Sequence, residues 1–149
     1  MYFLPQFPTK IANAKNSNYY LLTVILLMTG CSAPPTEKLA IKNNFKKIYI
    51  QTQKFNLASY QKILRLGAPI NIYIEGDGNA WVGRNHLSAN PSPRYGTTMR
   101  LATLDPNQNV VYLARPCQDS PNDLKTVCHS KYWSLARYSQ EVVSALDSA

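Results

Sequence analysis

The chain has 149 residues, with 16 lysines and arginines against 8 aspartates and glutamates, a formal charge of +8, and three cysteines. That length holds at most one ordinary domain. The cations are dispersed as Lys46, Lys47, Lys62, Arg65, Arg84, Arg94 and Arg100, with no dense run and no interleaved aromatic-basic motif, which argues against nucleic acid as a partner and for a solvated face.

In chain order, Lys10 and Lys15 precede "YYLLTVILLMTG", an apolar run from Tyr19 that is short for a bilayer span and suits the core of an export signal. The apolar start "MYFLPQFP" is unusual for such a signal, and a start site downstream of Met1 would explain it. Cys31 follows in "LMTGC", which is similar to the lipobox of bacterial lipoproteins, with Met28 where leucine is commoner. The resemblance implies a signal over residues 1–30, removed on export, and a diacylglycerol on Cys31 as the new N-terminus. An uncleaved anchor helix with an incidental cysteine is the alternative. Loss of the signal takes the charge from +8 to +6. "SAPPTEK" then reads as an extended, wet tether, giving a segment 31–44 of lipidated cysteine and linker. Ser32 stands where an aspartate would signal inner-membrane retention, so the expected address is the cell envelope, with the outer membrane favoured if the host has one.

Residues 45–149 read as one module. Ile48 and Ile50 in "KKIYIQTQ", then Phe55 and Leu57 in "FNLASYQKIL", give two period-two segments and predict an antiparallel hairpin. Gly67 and Pro69 punctuate. Ile70, Ile72 and Ile74 share one face of the next strand and Tyr73 covers the other, which predicts burial on both sides. "TTMRLATLDP" reads as a helix capped by Thr97 or Thr98 and stopped at Pro106, and "NVVYLAR" as another strand. Ser139 is a plausible N-cap for "QEVVSALDSA", with Val142, Val143 and Leu146 on one face. Hairpin, strand, helix, strand, helix is the opening of an α/β sheet whose later strands are parallel.

With Cys31 assigned to lipid, Cys117 and Cys128 are an even pair in an oxidising compartment and are expected to be bridged, which stabilises by roughly 2.5–3 kcal/mol for so short a loop. A metal site using Cys117, Cys128, His129 and His86 has no supporting ligand spacing. No cofactor or metal is therefore expected. Where the third strand runs into Gly76-Asp77-Gly78, consecutive backbone N–H groups are free of Cβ crowding at both glycines. An oxyanion hole needs such donors, although a tight packing turn needs the same residues.

"IYIEGDGNAW", "VVYLARPCQ", a second cysteine about ten residues on, and "YWSLARYSQEVV", taken together and in this order, resemble a group of exported or lipid-anchored bacterial α/β-hydrolase-fold proteins, over about Phe45 to the chain end. The resemblance implies a partial α/β-hydrolase-type sheet, and an oxyanion amide at Asp77 or Gly78, with Asn79 a weaker choice. It also implies a nucleophile elbow, an acid and a histidine that fall beyond Ala149. No serine here has a glycine two residues away on both sides, and His86, His129, Asp123 and Glu141 come too early in that order. The expectation is a hydrolase-like N-terminal portion, inactive alone, acting on esters or amides once a C-terminal polypeptide completes it. The alternatives are a non-enzymatic envelope lipoprotein that binds a partner through its sheet edge, and a decayed remnant.

Labelled palmitate is expected to enter the wild-type chain in cells and to be absent from a Cys31→Ser variant. Equal incorporation into both contradicts the anchoring assignment.

Overall fold

The computed structural model describes residues 34–149. The signal over 1–30 and the lipid position Cys31 lie outside the described residues.

The described chain begins with a helix, α1, over Pro35–Lys42, where the sequence reading placed an extended tether. Three local features favour it. Pro35 sits at the first helical position, where its missing N–H costs nothing; Glu37 lies in the first turn and Lys42 in the last, each matching the helix dipole. Thr36 and Ala40 are buried, and Leu39 reaches Gly96 so closely that a Cβ there would stand 3.0 Å from its Cδ1. Regular structure thus extends at least ten residues N-terminal of Phe45.

Strands β1 (Lys46–Gln51) and β2 (Asn56–Ile63) form the expected antiparallel hairpin. Strand β3 (Asn71–Ile74) follows, then helix α2 (Thr97–Leu104) and strand β4 (Asn109–Leu113). Together they make a mixed four-stranded sheet of order β1-β2-β4-β3, in which β4 runs antiparallel to β2 and parallel to β3. Beyond the sheet come a short helix α3 (Pro121–Thr126), a 3-10 turn (Ser130–Trp133) and helix α4 (Gln140–Asp147). The sequence reading anticipated α4 but neither α3 nor the 3-10 turn. Among the described residues no helix is long and apolar enough to cross a membrane.

Each face of the sheet has its own core. Phe45, Tyr60, Val110 and Tyr112 pack with Ala40 of α1 and Met99 and Ala102 of α2, and Tyr73 lies against them. Across the sheet, Phe55, Leu57 and Leu113 pack with Tyr132, Trp133 and, from α4, Val142 and Ala145. The Lys54–Glu141 ion pair, at 2.6 Å, ties the hairpin turn to α4. Trp133 also donates its indole N–H to the Ser88 carbonyl at 3.0 Å, consistent with a packing role, whereas Trp81 is half exposed in a two-residue bridge with Leu87.

The second face is only partly covered, and burial of β3 on both sides is not observed. Ile70, Ile72 and Ile74 are 51%, 60% and 53% exposed. The register explains it: Ile72 lies beside Val111 and Ile74 beside Leu113, on the face that α4 covers only toward Phe55 and Leu57. The other face of β3 is held by polar links. Asn71 Nδ2 and Tyr73 OH donate to Asp105 Oδ2 at 2.8 and 2.9 Å, and the N–H of Asn107 donates to Oδ1 at 2.8 Å. These donors, the Asn71 amide foremost, hold the Asp105 carboxyl well below the usual carboxylate range.

The start of α2 differs from expectation, and that of α4 agrees in position. Gly96, in the left-handed region at φ 58°, occupies the N-cap of α2, and Thr98 Oγ1 donates to Glu75 Oε1 at 2.7 Å instead of capping. Ser139 does occupy the N-cap of α4, but its Oγ makes no hydrogen bond with the described residues. Helix α2 ends at Leu104, with Asp105 as its C-cap before Pro106, as the sequence reading has it.

Candidate functional site

The turn Gly76-Asp77-Gly78 leaves the carboxyl end of β3, immediately after Glu75 closes the ladder by donating its N–H to the Leu113 carbonyl at 2.9 Å. Glu75 is 8% exposed and accepts three donors: Gly76 N–H at 2.9 Å and Thr98 at 2.7 Å on Oε1, and Tyr112 OH at 2.9 Å on Oε2. A buried carboxylate is costly unless its lone pairs are met, and here turn, helix and neighbouring strand each supply a donor. Glu75 is thus the anchor beneath the turn.

A second clamp comes from the segment after β4. Gln118, 2% exposed, donates through Nε2 to the Gly76 carbonyl at 2.9 Å and accepts the Arg115 N–H at 3.1 Å through Oε1. Cys117, next to it, is bonded to Cys128 with sulfurs 2.10 Å apart and Cα atoms 5.7 Å apart, so the expected pair is joined in the structure. Cys117 and Asp119 both take left-handed backbone, at φ 74° and 51°, which leaves Gln118 between two sharply turned residues.

Gly78 is required on two grounds. Its φ is +61°, and a Cβ would stand 2.2 Å from the Pro91 carbonyl oxygen and 2.6 Å from Gln118 Nε2. That same Pro91 oxygen accepts the Asn79 N–H at 2.9 Å, which removes Asn79 from the set of free amides. The N–H groups of Asp77 and Gly78 have no hydrogen-bond partner among the described residues, and both residues are exposed. A cavity of about 190 Å³ opens beside them, lined by Glu75, Gly78, Asn79, Arg94, Tyr95 and Thr97 among others.

The Asp77 side chain turns to two cations: Arg115 Nη1 at 2.7 Å from Oδ1 and Arg137 Nε at 3.5 Å from Oδ2. Arg115 also donates through Nη2 to the Arg137 carbonyl, and both guanidinium groups lie about 5 Å from the Tyr138 ring centroid. This fixes the Asp77 backbone while its amide stays open. Sequence reasoning found Asp77 and Gly78 through the G-x-G spacing but missed Glu75, Arg115 and Gln118 as supports. Arg115 and Gln118 belong to the run "RPCQDS", but nothing in its spacing ties that run to the turn at Gly76 or to Glu75.

Open backbone donors on adjacent residues are the groups by which an oxyanion hole holds a negatively charged oxygen. Among the described residues no serine, histidine and carboxylate are joined by side-chain hydrogen bonds beside this turn. His86 and His129 are exposed, and no side-chain hydrogen bond joins either to a serine or a carboxylate. Cys117 and Cys128 are consumed in their bond, and no group of three potential metal ligands occurs among the described residues. Comparison of the chain with protein-family models, with curated proteins and with solved structures gives no match.

Gly78→Ala is expected to destabilise by about 1–2 kcal/mol from the left-handed backbone alone, with more from displacing the Pro91 carbonyl. Gln118→Ala is expected to cost roughly 1–3 kcal/mol through its two lost hydrogen bonds. Urea titrations of the purified chain measure both, and a Gly78→Ala midpoint equal to wild type contradicts the close approach.

Proposed function

We propose that this chain is the N-terminal part of a lipid-anchored serine hydrolase of the α/β-hydrolase type, acting on esters or amides in the cell envelope. Asp77 and Gly78 supply oxyanion donors, and the nucleophile, acid and histidine come from a polypeptide segment that adds its strand beside β3. The observation that carries the reading is the pair of unpartnered amides at the carboxyl end of an edge strand, on a turn anchored from three directions. The strand order β1-β2-β4-β3, with only the last pair parallel, supports it, because it is the order the opening strands of that fold take. In open α/β sheets, ligands bind outside the carboxyl ends of the strands, where this turn lies.

The open edge and bare isoleucine face favour a second reading, in which the chain binds a partner strand by β-augmentation and catalyses nothing. Fluorophosphonate labelling separates the two. The purified chain alone is expected to take no label, while the complex isolated from the native cells carries it on a glycine-flanked serine of the added segment. Within that complex Asp77→Pro, which removes the N–H, slows labelling by about 10²–10³-fold. Asp77→Ala keeps the N–H and loses the ion pair, so it controls for the carboxylate. Labelling of the isolated chain, or equal rates for Asp77→Pro and Asp77→Ala, contradicts the hydrolase reading; a complex without a labelled serine supports the strand-binding one.

A further inference from the structure

The segment that leaves the glycine turn carries charge of one sign. From Gly78 to Leu104 the sequence holds no aspartate or glutamate, and it holds Arg84, Arg94 and Arg100, all exposed. Within it, Ala80 and Ser88 are buried and joined by the Ser88 N–H on the Ala80 carbonyl at 2.9 Å, whereas every residue from 81 to 87 is exposed. The result is a projecting hairpin. Trp81 pairs with Leu87 across it, and the Val82 N–H donates to the His86 carbonyl at 3.0 Å, which leaves Gly83, Arg84 and Asn85 at the tip. Directly opposed residues share a face, so Trp81 and Leu87 form one apolar side and Val82 lies on the other. Trp81 and Val82 are 48% and 53% exposed. The base is held through Ser88, whose Oγ accepts Asn79 Nδ2 at 3.0 Å and whose carbonyl accepts the Trp133 indole.

The hairpin stands beside the point where the described chain begins. A cleft of about 730 Å³ is lined by Val82 and Arg94 and also by Pro34 and Pro35. Of the acids on its wall, Glu37 is paired with Lys47 at 3.1 Å and Asp119 is buried, so neither offsets the arginines. In the lipid-anchored reading, Cys31 is three residues before Pro34, a span of at most roughly 11 Å, so the anchor lies within reach of this cleft.

We propose that the 81–87 hairpin docks on a membrane: Trp81, Val82 and Leu87 enter the interfacial layer of the bilayer, and Arg84 and Arg94 meet anionic headgroups. An indole suits that layer because its ring is apolar and its N–H polar, and arginine carries its charge to a phosphate on an apolar stem. The absence of acids from the whole segment makes its charge complementary to an anionic surface. A protein partner fits less well, since three apolar side chains on a narrow tip fall short of the ~800 Å² per partner that a stable interface buries. The hairpin's chemistry stands without a lipid on Cys31; only its nearness to the anchor rests on the anchored reading.

Trp81 is its own probe, because the other tryptophan, Trp133, is buried. The purified chain is mixed with phosphatidylcholine vesicles whose acyl chains carry bromine, with or without about one-third phosphatidylglycerol, and the Trp81 signal is the wild-type emission less that of Trp81→Phe. On the anionic vesicles that signal is expected to shift to the blue and to fall roughly twofold or more. It is expected to change much less on the neutral vesicles, and much less on the anionic ones when Arg84→Gln and Arg94→Gln are combined. No quenching of Trp81 overturns the proposal, as does quenching that is equal on both vesicles or unchanged in the arginine variant; the vesicle comparison uses the wild-type chain and stands even if a substitution disturbs the fold. Trp81 quenching in a chain that takes no palmitate supports docking and removes the anchor, whereas palmitate on Cys31 with Trp81 unquenched removes the docking alone.

Discussion

Among the described residues strand β3 is hydrogen-bonded along one side only, and the rest of the fold is arranged around that constraint. Its register with β4 directs the N–H groups of Asn71, Tyr73 and Glu75 into the ladder, which leaves those of Ile72 and Ile74 on the open edge. The same alternation puts Tyr73 on the covered face and the three isoleucines on the bare one. An edge of this kind is a template for another strand, and natural proteins usually blunt it with charge, proline or a covering element. Here the edge-strand isoleucines carry none of these.

Against that openness stands the rigidity at the end of the strand. Glu75 draws donors from α2, β4 and the turn itself, and Gln118 holds the Gly76 carbonyl from the opposite side. A donor pair that is fixed before any ligand arrives needs no reorganisation when charge develops on it, which is what makes such pairs effective. The Asp77 carboxylate, spent on Arg115 and Arg137, places no competing acceptor of its own onto the open amides. The site therefore combines prepared electrostatics with an open sheet edge, and the two proposals for its use differ in what pairs along that edge.

The hairpin, β3, α2, β4 and α4 were legible because each carries a period of two or 3.6 in its apolar residues. Helix α1 was not, because two prolines and a polar composition look like a linker; its burial depends on Gly96 leaving room for Leu39, a contact about sixty residues away in sequence. Capping by Thr98 failed for a related reason: the buried Glu75 carboxylate is a stronger claim on that hydroxyl than the helix start. Of the site, the glycines were readable from spacing and the Cys117–Cys128 pair from count. Glu75, Arg115 and Gln118 were not, since their roles exist only once β3 and β4 lie side by side.

Amide hydrogen exchange along β3 of the purified chain tests the open edge most directly. With no second polypeptide present, Ile72 and Ile74 are expected to exchange rapidly while Tyr73 and Glu75 stay protected, an alternation that follows from pairing on one side alone. Uniform protection through all four residues contradicts the account, for it means that the edge is already closed.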